Sequence, residues 1–286
     1  MRYLKIILPV LFVLIVGFFA VRGCVHKKAA APSVTLGAPA AKKKVVLAPR
    51  AGEKQPAVVP AQKVSQPKIA IILDDWGNNY SVLKYAVGIG RPVTLSILPN
   101  LSQSRRIAEE AFASHLGVML HMPMQPKSDK ERLEPHTILT TTPDQDIQLY
   151  LDQAIASVPH ADGVNNHMGS AATGDRRVMK VVLNHLKSKG LFFVDSYVIP
   201  ETVTAEIAND IHIPFAKRDV FIDNQMNLIS IKEKLEKAKK IALTRGTAVV
   251  IGHDRKMTLQ AIKEVAPAFE KEGIRFVLAK EVVRTT

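Results

Sequence analysis

Lys68-Ile69-Ala70-Ile71-Ile72-Leu73-Asp74-Asp75-Trp76-Gly77 sets an unbroken apolar run directly against two carboxylates. A run of that length, bounded by polar and turn residues, is the signature of a strand buried on both faces in a parallel sheet. The same pattern returns along the chain. His121 follows residues 117–120, Asn165-Asn166-His167 follows 163–164, Asp195 follows 191–194, and His253 follows 248–252. Stretches long enough for helices separate these runs. Such alternation implies parallel strands with right-handed crossovers. In open α/β sheets and β/α barrels the carboxyl ends of the strands converge on one face, where active sites sit.

Residues 93–98 and 274–278 complete a series of seven or eight strands. Helices are expected over 80–87, from a Ser102 cap to His115, over 142–158 with Pro143 in the first turn, and over 175–189 closed by Gly190. Ser230 with Glu233 reads as a capping box for a helix to Arg245, and 258–271 form the last helix. A long polar connection spans 122–141. The length of 68–286 suits a closed or nearly closed barrel better than a small open sheet, so the expected class is α/β, a distorted β/α barrel.

The part before Lys68 is different in kind. Residues 6–21 carry no charge and follow two basic side chains, Arg2 and Lys5. The segment reads as an uncleaved membrane anchor within residues 1–25; a cleaved secretory signal and a lipid-modified Cys24 are the alternatives. Residues 26–67 are rich in Ala, Pro, Lys and Val without periodicity, and read as a disordered tether with a reach on the order of 35 Å. The net charge of +13 is concentrated here. Residues 1–67 hold eleven Lys/Arg and one acid, whereas 68–286 hold twenty-eight Lys/Arg and twenty-five acids. The globular part is therefore nearly balanced and has no arginine-rich helix, which argues against a nucleic-acid partner. Cys24 is the only cysteine, so residues 68–286 have neither a disulfide nor thiol chemistry.

The polar clusters carry the chemistry. Neighbouring side chains at a strand end are expected to diverge, so Asp74 and Asp75 can serve two roles, one binding a metal and the other taking a proton. Two prolines in Leu120-His121-Met122-Pro123-Met124-Gln125-Pro126 hold the imidazole in a rigid, non-helical segment. In Gly163-Val164-Asn165-Asn166-His167-Met168-Gly169-Ser170 the amides can hold substrate hydroxyls and His167 can bind a metal, while the glycines permit close backbone approach or a positive φ. A carboxylate near His253 would fix its tautomer, and Asp195 is the candidate. Asp219 and Asp223-Asn224 either join this rim or form a turn. The remaining histidines have no such setting.

These stretches, together with Phe193-Val194-Asp195-Ser196 and Ile251-Gly252-His253, make the chain from about Lys68 to Val283 resemble the divergent polysaccharide deacetylases. These are an offshoot of the metal-dependent polysaccharide deacetylase family. The resemblance implies a catalytic domain over 68–286 in an envelope-anchored bacterial protein, acting on a glycan such as peptidoglycan. It implies that Asp74 is the general base, Asp75 a ligand of a divalent metal, zinc foremost, and His253 the general acid. The parent family's second motif places two histidines on the metal. Here His121 matches the first, and Gln125 stands where the second would be. Asn165 occupies about the place of an arginine in the third motif, and His167 is an addition. The expected metal set is thus Asp75, His121 and His167, with Asn165, Asn166 and Gln125 on the substrate. Since an amide oxygen is a poor zinc ligand, a second reading is a catalytically impaired glycan-binding or envelope-assembly module on the same barrel.

Overall fold

A computed structural model describes residues 66–285. The expected membrane segment and tether lie outside the described residues. Among those described, no helix is long and apolar enough to cross a membrane. The strands are β1 (Lys68–Trp76), β2 (Thr94–Ile97), β3 (Gly117–Met124), β4 (Gly163–Met168), β5 (Phe192–Asp195), β6 (Phe215–Lys217), β7 (Val220–Phe221), β8 (Thr247–His253) and β9 (Arg275–Val277). The helices are α1 (Leu83–Val87), α2 (Ser104–Ala113), α3 (Asp144–Ser157), α4 (Arg176–Ser188), α5 (Thr204–Ile211), α6 (Leu228–Arg245) and α7 (Lys256–Lys271).

All ladders between these strands are parallel, in the order β6-β5-β4-β3-β2-β1-β8-β7. Residues 215–221 bring the two edges of this sheet together. Their first part pairs with β5 and their second with β8, with Arg218 and Asp219 between. The sheet is therefore curled into a distorted barrel. β1 is shared three ways. Its first three residues pair with β9 as well as β8, and its later ones pair with β2.

Strand alternation sorts the apolar residues into two layers. Ile69, Ile71 and Leu73 pack with the buried faces of the helices. Ala70, Ile72, Met119, Phe192, Val194, Val249, Ile251 and Val277 form a second cluster, the barrel interior. This inward series carries into the site. One step of two residues beyond it come Asp74, His121, Ser196 and His253, and Asn165 and His167 continue from Gly163. Gly163 is needed there, because a Cβ would meet the Phe192 ring at 2.2 Å.

Several helix boundaries differ from expectation for local reasons. Asn227, not Ser230, caps α6: its side chain accepts from Ser230 N, so Ser230 already lies in the first turn. Pro143 is the N-cap of α3 rather than a residue of its first turn. β3 runs on through Met124, because Ile138 pairs back onto it, with Gln125 N donating to Ile138 O and Ile138 N to Pro123 O. β6, β7 and α5 were not expected. Two- and three-residue strands are too short to show a period.

Candidate metal centre

Asp75 departs from strand geometry. The β1–β2 register shifts between Leu73 and Trp76, and Asp75 has φ 67°. Alternation alone would turn Asp75 away from the interior that Asp74 faces. The bulge and the left-handed backbone instead bring both acids to one point, which corrects the expectation that they diverge. His121 Nε2 lies 3.7 Å from Asp74 Oδ2 and 3.4 Å from Asp75 Oδ1. A non-glycine residue in the left-handed region costs of order 1 kcal/mol and is characteristic of functional sites.

His167 Nδ1 stands 3.2 Å from Asp75 Oδ1 and 3.2 Å from His121 Nε2. Three donor atoms from β1, β3 and β4 thus form a triangle with edges of 3.2–3.4 Å. Ligands held tetrahedrally at about 2.0–2.1 Å are separated by about 3.3–3.4 Å. Asp75 Oδ1 is buried and lacks a hydrogen bond of ordinary geometry. The donor set and this orphaned oxygen fit a divalent cation with one coordination position left open.

Asn165 orders the neighbourhood. Its Oδ1 accepts from His121 Nδ1 at 2.8 Å and Ser96 Oγ at 2.5 Å, and its Nδ2 donates to Asp74 Oδ1 at 2.9 Å and Ser196 Oγ at 3.2 Å. The proton is thereby kept on Nδ1 of His121, leaving Nε2 to face the centre. Asn165 is fully buried, so the expectation that it contacts substrate is corrected. Asn166 points out of the inward series. Its amide donates to Met168 O and accepts from Ser196 N, so both ends are committed to the turn. Gln125 is committed too, its Oε1 accepting from Thr140 N and Thr140 Oγ1.

The partner expected for His253 is also corrected. Asp195 follows Val194 outward, toward the start of α5, where Thr202, Thr204 and the Tyr197 backbone N–H donate to it. His253 Nδ1 pairs instead with Asp223 Oδ1 at 2.8 Å, and Asp223 Oδ2 accepts from His253 N and Thr258 Oγ1. His253 Nε2 is left 3.5 Å from Asp75 Oδ2. Arg218, which carried no signal in the sequence, lines the same pocket and donates to Ser196 O and Tyr197 O. Its place comes from the crossing between β6 and β7, which only the topology reveals.

Burial and charge set the protonation states. Burial raises the Asp74 carboxyl despite the opposing charge of His121 and the bond from Asn165. Burial would raise Asp75 as well, but the ring nitrogens of His121 and His167 overrule it and hold this acid well below the usual carboxylate range. Burial opposes charge on His121, yet Asp74 and Asp75 push it up to about 9 in the metal-free protein. His253 is raised against burial by Asp223 and the two aspartates. The cavity above these groups is about 210 Å³, walled also by Met168, Val198, Phe221 and Ile251.

This curled parallel sheet is the fold of the carbohydrate-esterase deacetylases. The likeness extends to a family 4 carbohydrate esterase from Streptomyces lividans solved with acetate, with TM-score 0.52 and 14% identity over 77% of this chain and 97% of that one. It is stronger to the uncharacterized protein ATU2773 from Agrobacterium tumefaciens C58, with TM-score 0.73 and 22% identity over 78% and 92%. Within that class the chain belongs to the divergent polysaccharide deacetylase family, whose model matches residues 71–283. The uncharacterized protein YibQ of Escherichia coli is 30% identical over 198 residues, which span 69% of this chain and 62% of YibQ. An uncharacterized Haemophilus influenzae protein is 30% identical over 199 residues, 70% of this chain and 71% of that one.

Proposed function

We propose that this protein is an envelope-anchored, metal-dependent hydrolase that removes acetyl groups from a glycan. The observation that carries the reading is the donor triangle of Asp75, His121 and His167, with Asp74 on one side and the Asp223–His253 pair on the other. A divalent cation held there, zinc foremost, would polarise the acyl carbonyl and stabilise negative charge on its oxygen. Asp74, raised by burial and steadied by Asn165, takes a proton from the attacking water. His253 keeps its Nδ1 proton on Asp223 and presents Nε2 to the pocket, where it protonates the leaving nitrogen or oxygen. The hydrophobic wall of Val198, Phe221 and Ile251 suits the acetyl methyl and limits water. Family membership and the acetate seen in the Streptomyces esterase support a glycan acetyl group as substrate. The envelope location rests on the uncharged run of residues 6–21.

Gln125 and the long tether argue for a binding-only module, but Asp75, His121 and His167 can hold a metal without that residue. The test is metal content of the purified full chain together with acetate release from chitooligosaccharide and peptidoglycan. Wild type should retain close to one equivalent of metal and release acetate. Asp75→Ala and His121→Ala should abolish release while circular dichroism stays native. Glycan binding that persists under chelation, without any acetate release from wild type, would establish the binding module instead.

A further inference from the structure

His121 and His167 each expose one ring nitrogen to the centre, and each needs an acceptor for the other nitrogen's proton. For His121 that acceptor is Asn165 Oδ1. For His167 the group in reach is Glu134, whose Oε1 lies 3.5 Å from Nε2. Both His167 Nε2 and Glu134 Oε2 are buried and lack a hydrogen bond of ordinary geometry among the described residues. A buried imidazole nitrogen and a buried carboxylate oxygen left without partners are costly unless their groups are used, and the carboxylate's other oxygen is the one nearest the ring.

Glu134 reaches this place because its loop is tied down. Gln125 Oε1 accepts from both the backbone and the hydroxyl of Thr140, and Gln125 N donates to Ile138 O. Thr137 closes the tip by donating its N–H and Oγ1 to Glu134 O. Gln125 therefore acts at the position where a histidine ligand would be expected. It fastens the loop that carries Glu134 toward the histidine on the neighbouring strand.

We infer that Glu134 is a positioning residue: its carboxylate takes the Nε2–H of His167 and so presents the Nδ1 lone pair to the cation. This rests on the metal-centre reading above. A carboxylate acceptor fixes the ring's tautomer and orientation and raises its basicity as a ligand, an effect worth about 10–100-fold in metal affinity. Glu134 belongs to none of the polar clusters at the strand ends, and its loop offered no pattern in the sequence.

The experiment is a zinc titration of the full chain against a chromophoric chelator, comparing wild type, Glu134→Ala, Glu134→Gln and the same-loop control Glu131→Ala. Glu134→Ala should weaken zinc about 10–100-fold. Glu134→Gln should lose less, since its amide oxygen still accepts. Glu131→Ala should match wild type. The unfolding temperature of the metal-free protein should be the same in all four. Zinc affinity unchanged in Glu134→Ala overturns the inference alone and leaves the metal centre standing. A metal-free unfolding temperature that falls in Glu134→Ala would make the residue a loop brace and overturn it too. Absence of zinc binding in wild type would remove both the metal centre and the role of Glu134.

Discussion

Asn165 joins the base, a ligand and the strand beyond them through one amide. Every hydrogen-bonding position it has faces a named group: His121 Nδ1, Ser96 Oγ, Asp74 Oδ1 and Ser196 Oγ. Truncation to alanine would leave the proton of His121 Nδ1 and an oxygen of Asp74 buried without partners, at about 1–3 kcal/mol each. Asn165→Ala should therefore lower unfolding free energy in urea by roughly 3 kcal/mol and weaken zinc about tenfold or more. Unchanged stability would mean that water replaces the amide. The charges around it also set a pH dependence. In metal-free protein His121 is raised from 6.5 to about 9. The folded state then binds this proton more tightly than the unfolded state. The resulting stabilisation is full below pH 6.5 and is lost as pH rises through about 9. Thermal unfolding in chelator should show this loss between those limits, and His121→Asn should flatten it. An equal slope in the variant would place the titration elsewhere, His253 being the other histidine raised at the site.

At the scale of the element, the inward-facing rungs of five strands determine which polar residues meet. The strand cores and their terminal polar residues were legible because buried parallel strands are plain apolar runs. Asp75, His121 and His167 could be grouped because each ends such a run or continues it. What stayed hidden follows from alternation and topology. Asp195 sits beside the right residues but turns toward Thr202 and Thr204, and Asn166 commits its amide to Met168 O and Ser196 N. Asp223 was a candidate for the rim, but its pairing with His253, like the place of Arg218, depends on a segment whose two short strands pair at opposite sheet edges, a long-range event with no local pattern. The left-handed turn at Asp75 was invisible too, since aspartate gives no sign of which φ it adopts. Gly163 was more transparent: its expected close approach is the Phe192 ring across β4 and β5. A methyl group there must displace a buried aromatic ring or separate two paired strands. Gly163→Ala should cost at least the 1–3 kcal/mol typical of overpacking. It should also disturb His167, four residues along the same strand, so zinc affinity should fall with stability. A fully stable Gly163→Ala protein would show that Phe192 can move freely.

The whole molecule places the chain's entry far from its mouth. Lys68 opens β1 and Asp74 lies six residues along it, a rise of about 20 Å at 3.3 Å per residue. Pro67 and Lys68 therefore enter the barrel at the end opposite the donor triangle. Among the described residues the first with a barrel contact of this kind is Pro67, whose carbonyl accepts from Arg275 N; Lys68 N then donates to Gly246 O. At the other end Arg284 exchanges two backbone hydrogen bonds with Phe215, holding the segment that joins the sheet edges. β1 itself is fully partnered by β2, β8 and β9. A chain of residues 66–286 should therefore fold alone, with the unfolding temperature and zinc affinity of the full protein. Ending the same chain at Val282 removes the Arg284 bridge and should lower the unfolding temperature, with β6 losing amide-exchange protection before β1. If the 66–286 chain were unfolded, or if the Val282 truncation left β6 as protected as before, the ends of the barrel would be held by contacts other than these backbone pairs.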